Sequence, residues 1–338
     1  NSFELASRSG RVSVEEERDF HIGATLVALE PDADSRAAME AFASSYGVKL
    51  IATETRASFV ATVAETIQVA GVLFDADFDG IATVLADFFA NHREIPIFLR
   101  CRDQSIVDNF RSDYPEMLLQ PYEQCTEEVL SNLVAESIFG RHYPGSMLEH
   151  VQETICSVVC THLAGVELEV GSLLLASDRR VYGERLEVMP IRSSWCRGAM
   201  MLESRGSDIM RLVRLGRTRF ASDVHHIANC TEDLLRELMN QISGAFKNKF
   251  VPSDFQGHLH QIEVPMTINH REHYVSFGGT QPLLCFKLKV RDVEGDGDAF
   301  DPFDLFLRLS FHGFWDVDGF SVNADDDDGA GSGVLELF

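Results

Sequence analysis

The chain has 338 residues, 45% of them apolar, with 29 Lys and Arg against 53 Asp and Glu for a formal net charge of −24. At ~100–200 residues per domain this length predicts two domains with a core each, and the charge excludes partners held by a phosphate backbone, since nucleic-acid binding rests on basic residues neutralising phosphates. Seven cysteines scattered from Cys101 to Cys285 without a paired framework point to reduced thiols and a cytosolic compartment, and no stretch approaches the ~18 consecutive apolar residues of a membrane span.

Residues 1–20 carry "SVEEERD" where a signal peptide would have its apolar segment, and read as a flexible terminus. Over 21–140 the short apolar runs "ATLVAL" (ending at Leu29), "VKLIAT" (48–53), "GVLF" (71–74), "IPIFL" (95–99) and "EMLLQ" (116–120) alternate with amphipathic segments such as "SRAAMEAFASSY" and "GIATVLADFFANH". Buried-type strands interleaved with helices predict an α/β doubly wound domain with a parallel sheet. After the turn-rich "FGRHYPGSM" (139–147) the pattern changes. A helix from about Leu148 to Ala164 leads into "VELEVGSLLL", "ERLEVMPI" and "GAMMLES", then a long helix, then "QIEVPMTI", "PLLCFKLKV" and "LFLRLSF". Consecutive strands with few crossovers predict an α+β domain over 146–318 with an antiparallel sheet and long helices. Residues 319–338, with "NADDDDGAGSG", are expected to be a flexible acidic tail. Its apolar end, Val334–Phe338, either folds back on the core or docks a partner from that tether.

The long helix, "TEDLLRELMNQISGAFKNKF" from Thr231 to Phe250, carries the candidate chemistry. At ~100° per residue Asp233, Glu237, Asn240 and Gly244 fall on one stripe, while Leu234, Leu238, Ile242 and Ala245 can face the sheet. Read without relatives, the stripe is a solvated face with a cap near Thr231 or Asp233. The pattern Asp-x-x-x-Glu-x-x-Asn, with Gly244 and Lys247 following and a later strand containing Pro265, resembles the signature of the CheC/CheX/FliY chemotaxis phosphatases, with a matching layout over about residues 146 to 315. That resemblance implies hydrolysis of the aspartyl-phosphate on a response-regulator receiver. Asn240 would position the water, Glu237 would pair with the receiver's Lys, Gly244 would admit the partner's backbone, and Asp233 would align the face. No cofactor of the chain's own is implied, because the receiver supplies Mg²⁺. Dimerisation, common among such relatives, makes a homodimer an expectation as well. "SMLEHVQETI" offers Glu149-x-x-Gln152, but Gly145 stands four residues before Glu149, so this helix reads as a structural counterpart without a second site.

The first half is similar to a receiver domain with a degenerate site. Asp75 ends a strand where a phosphoacceptor would sit, and "LLQPYE" stands where receivers have Lys-Pro, so the Lys position is Gln120. Arg100 and Cys101 replace the usual Thr or Ser, and Glu30 and Asp32, split by Pro31, replace an adjacent acid pair. A pseudo-receiver of this kind would not be the substrate of Glu237 and Asn240. The expectation is therefore action in trans on another, phosphorylated response regulator, or, alternatively, a scaffold that binds such regulators without catalysis.

The remaining constellations read as ordinary structure. "DADFDG" (75–80) and "DVEGDG" (292–297) begin like calcium loops, but the twelfth positions are Ala86 and Phe303 rather than a bidentate Glu. His258, His260, His270 and His273 lack a cysteine in metal spacing, and Cys156 and Cys160 share an apolar helix face as small core residues would. Arg211, Arg214, Arg217 and Arg219 form a basic stretch, either a solvated face or a contact for an acidic partner.

Overall fold

The computed structural model describes residues 21–183, 185–218, 227–252, 266–269, 280–293 and 300–323. The first half runs β1 (Ile22–Leu29), α1 (Ala33–Tyr46), β2 (Val48–Thr53), α2 (Arg56–Glu65), β3 (Val69–Asp75), α3 (Ile81–Asn91), β4 (Ile97–Arg100), α4 (Gln104–Asp113), β5 (Leu119–Tyr122) and α5 (Glu127–Ser137). Then come α6 (Gly145–His162), β6 (Val166–Val170), β7 (Leu173–Ala176), β8 (Arg185–Arg192), β9 (Cys196–Ser204), α7 (Gly206–Arg214), α8 (Ile227–Phe250), β10 (Met266–Asn269), β11 (Leu283–Asp292) and β12 (Phe303–Trp315).

The first five strands pair in parallel in the order β2-β1-β3-β4-β5, a doubly wound order with its switch point between β1 and β3. Helices on both faces leave β3 buried along its whole length, which explains the unbroken apolar run. Ala24, Leu26 and Ala28 of β1 pack with Met39 and Phe42 of α1 and Leu130 and Val134 of α5, while Val27 and Leu29 meet Phe59 of α2 and Leu85 of α3. Local signals set the helix ends: the Asp32 carboxylate accepts from Ser35 N, and Thr55 and Ser58 form a reciprocal capping box. α1 stops at Gly47, whose φ of 65° is a left-handed position that glycine tolerates best. β5 begins at Leu119 rather than Glu116, because a turn from Tyr114 to Met117 intervenes. It also contains Pro121, which is tolerated because β5 is the sheet's edge.

In the second half β8, β9, β12 and β11 pair antiparallel. β12 alternates as such a strand should: Leu305, Leu307, Leu309 and Phe311 face the core beneath α6 and α8, and Arg308 and Ser310 face the other way. The two halves are not separate sheets. β7 pairs in parallel with β1 and antiparallel with β11, so one sheet runs through the chain, and the cluster that packs α1 and α5 continues without a break to α6 and α8.

The segment between β7 and β8 stitches this joint. Ser177 N and Asp178 N both donate to Val69 O, and Arg180, paired with Asp178 at 2.7 Å, donates to Thr66 O. Gln68 N donates to Tyr182 Oη at 2.6 Å, which holds Gln68 at a φ of 64°. Beneath it Arg308 lies in an ion pair with Glu203 at 3.2 Å, under the Tyr182 ring and with both side chains almost wholly buried. Among the described residues no helix is long and apolar enough to cross a membrane.

Candidate functional site

Two places gather the predicted residues. The first is the outer face of α8. Leu234, Leu235, Leu238, Met239, Ile242 and Phe246 are buried, a stripe at helical spacing that seats α8 on β8, β9 and its neighbours α6 and α7. Ala245, expected to face the sheet, is only half-buried, because Leu235 and Met239 rotate the core stripe away from it. The far end is fixed by Trp195 Nε1 donating to Phe250 O at 2.7 Å and by Asn323 Nδ2 donating to Asn248 O and Val251 O. α8 begins at Ile227, so Thr231 and Asp233 lie inside it and neither is its cap.

Asp233 and Asn240 are exposed and Glu237 and Gly244 half-buried, all on the side away from the core. Asp233 forms an exposed ion pair with Arg236 at 3.3 Å, which is worth little on such a surface. Glu237 Oε1 accepts from Gln241 Nε2 at 2.8 Å, so its carboxylate is held in place along the helix. Gln241 went unremarked in the sequence, although its i+4 spacing from Glu237 is the signal for such a pair. A Cβ at Gly244 would meet nothing within 4 Å. Among the described residues, packing therefore gives no reason for glycine there, despite a cost of ~1 kcal/mol against alanine within a helix. Among the described residues this face points away from the core, with an amide and a carboxylate one turn apart.

On the neighbouring α6, Glu149 and Gln152 are half-buried and Gly145 is the first residue. Cys156 is half-buried, but Cys160 is exposed and so is not a core residue.

The second place is the switch point of the parallel strands. Asp75 ends β3, Arg100 ends β4, and Glu30 follows β1. Arg100 Nη2 lies 2.9 Å from both Glu30 oxygens and 2.7 Å from Asp75 Oδ2, and Nη1 donates to Ser35 Oγ at 2.8 Å. Glu30 Oε1 also accepts from Asp32 N, and Asp75 Oδ1 from Asp77 N, each at 3.0 Å. Burial pushes the Glu30 carboxyl above its ordinary range, partly offset by the Asp32 amide and Arg100. Burial likewise works against the Arg100 charge, but Glu30 and Asp75 outweigh it and hold the guanidinium more firmly protonated than usual. The thiol of Cys125 nearby is pushed up to about 11, chiefly by burial. Asp32, expected to join this pocket, instead spends its carboxylate capping α1, and Gln120 is exposed on the edge strand. The sequence set Arg100 down as a missing hydroxyl and missed that its side chain turns inward onto both acids.

Of the basic stretch, Arg217 pairs with Asp292 at 3.2 Å and Arg211 with Asp301 at 3.3 Å, while Arg214 is exposed. Arg219, the four histidines, Pro265, most of the 292–297 loop, the N-terminal segment and the tail beyond Asn323, Val334–Phe338 included, lie outside the described residues, whereas Phe320 and Asn323, expected to belong to a flexible tail, pack on Trp195 and on the end of α8.

No protein-family profile and no curated protein matches the chain. Among solved structures, CheX- and CheC-like chemotaxis proteins resemble about half of it. A putative chemotaxis protein from Desulfovibrio vulgaris Hildenborough is 16% identical over 49% of this chain and 96% of its own, with a TM-score of 0.37. A chemotactic CheC-like protein from Shewanella oneidensis MR-1 is 14% identical over 49% and 97%, with a TM-score of 0.33. The CheX-CheY-BeF3-Mg+2 complex from Borrelia burgdorferi matches at 15% identity over 49% and 98%, with a TM-score of 0.32.

Proposed function

We propose that this chain is a phosphatase of response-regulator receiver domains, acting in trans through the outer face of α8. The observation that supports this reading is the placement of Glu237 and Asn240 side by side on a helix whose other face is locked into the core, with Gly244 open one turn further on. An acyl phosphate is already activated, and the receiver brings Mg²⁺ and a Lys to hold its phosphoryl oxygens, so the added enzyme need only align water in line. Asn240 suits that task because an amide both accepts from and donates to a water without becoming charged. The water oxygen forms its bond to phosphorus as the bond to the aspartyl carboxylate breaks, giving carboxylate and inorganic phosphate, with the water's proton passing to the phosphate. Glu237, steadied by Gln241, pairs with the receiver's Lys and sets the docking register. Asp233 lies one turn before Glu237 and aligns the rim of the contact.

The parallel half serves recruitment or pairing, a homodimer included, rather than phosphoryl transfer. Asp75 gives one oxygen to Arg100 and the other to the Asp77 amide, and Gln120 supplies no cation. Intact mass after treatment with acetyl phosphate and Mg²⁺ should therefore be unchanged. A stoichiometric gain of about 80 Da that disappears in Asp75→Asn would overturn this part of the reading.

The direct test of the phosphatase is phosphate release from a panel of phosphorylated receivers incubated with the protein. Acceleration on at least one receiver is expected. Binding to some receivers with no acceleration on any would replace the enzyme by a scaffold that recognises regulators without catalysis.

A further inference from the structure

The acid pocket of the parallel half does not fit the divalent ion that a receiver-like site implies. We propose that Arg100 is a built-in cation that fills this pocket and determines its specificity by excluding divalent metal. The inference stands on the pocket alone, so it can fail without touching the α8 reading.

Three strand ends bring the groups together. Glu30 is wholly buried and Asp75 nearly so, and two carboxylates this close in a dry pocket repel unless a cation lies between them. The guanidinium supplies that cation: one nitrogen meets both Glu30 oxygens and Asp75 Oδ2, and a second donates to Ser35. A hard divalent ion would need these same oxygens at ~2.0–2.6 Å, the space in which the Arg100 nitrogen sits, so occupancy by one excludes the other. Asp32 is engaged elsewhere, one of its carboxylate oxygens capping α1 at Ser35 N. Displacing Arg100 would also strand a largely buried charge that now has four hydrogen-bond contacts. A planar, forked cation suits this role where lysine would not, since it reaches two acids and a hydroxyl from one fixed plane. The two carboxylates thus have their counter-cation without metal.

The test is titration of the full chain with Mn²⁺, followed by the loss of the free-ion paramagnetic resonance signal. Wild type should show no saturable site. Arg100→Ser, which leaves Glu30 and Asp75 facing an open space, should gain one site binding at least about tenfold tighter than any residual uptake by wild type. Glu30→Gln in that background should remove the site, which separates it from diffuse attraction to an acidic surface. If Arg100→Ser does not fold by circular dichroism, Arg100→Gln, uncharged but similar in length, serves as the same arm. A saturable Mn²⁺ site in wild type that Glu30→Gln abolishes would overturn the proposal. So would a folded Arg100 variant that gains no site.

Discussion

Replacing Asn240 by alanine is expected to lower turnover on a phosphorylated receiver by about 10²-fold or more while the complex still forms, the scale on which a positioning group acts. The asymmetry follows from where each contact is made. A water-aligning amide would matter mainly in the transition state, whereas Glu237 in the proposed role would contribute to the docked complex too. Glu237→Ala should therefore weaken binding as well as rate, and the binding loss should shrink with added salt, because a charge pair screened over ~8 Å at physiological ionic strength is what has been removed. Gln241→Ala offers a graded control: it touches no partner in this reading but frees the Glu237 carboxylate, so it should raise KM with little change in kcat. Neither Asn240 nor Glu237 faces the core, so thermal melts of both variants should overlay wild type. Equal losses of binding and rate in Asn240→Ala would mean that the amide is a docking contact, and the catalytic role would fall.

The α8 face was legible in the sequence because it is local. One helix carries it, and the 3.6-residue period places Asp233, Glu237, Asn240 and Gly244 on one side without reference to anything else in the chain. The central strands β1, β3 and β4 were legible for a similar reason, since burial on both faces writes itself as a continuous apolar run. What escaped depends on distant pairing. "LLLA" in β7 is apolar whichever strand it meets, so nothing in it announces that β1 is its neighbour and that two sheets become one. Arg100 reads as a substitution in a motif until β1, β3 and β4 are laid side by side, and only then do its nitrogens fall on Glu30 and Asp75. The start of α8 at Ile227 was also hidden, because "TEDLL" offers a capping pattern that the longer helix overrides.

Replacing Arg308 by leucine should be the most damaging single change to stability, about 3–5 kcal/mol at neutral pH, the range for breaking one partner out of a buried ion pair. Arg308 and Glu203 are each 1% exposed, so the carboxylate left behind has no water to turn to and, among the described residues, keeps only the Tyr182 amide at 3.0 Å. The loss also reaches the joint between the halves, because the guanidinium carries the Tyr182 ring at 4.2 Å and donates to Arg180 O, and Tyr182 in turn receives Gln68 N. The pH dependence separates charge from shape. Burial already raises the Glu203 carboxyl above its ordinary value, with Arg308 opposing that rise, so removing the arginine raises it further. A carboxyl whose folded pKa is raised favours the fold most at low pH, below its unfolded value, and loses that contribution as pH climbs through the folded value. The deficit of Arg308→Leu measured by urea unfolding should accordingly be smaller near about pH 5.5 than near about pH 8, as Glu203 takes up a proton in the folded variant. Adding Glu203→Gln should recover a large part of the loss at the higher pH, since an uncharged amide no longer needs the missing cation. A deficit that is flat across this range and untouched by Glu203→Gln would assign the effect to lost packing beneath Tyr182 instead of to a stranded charge.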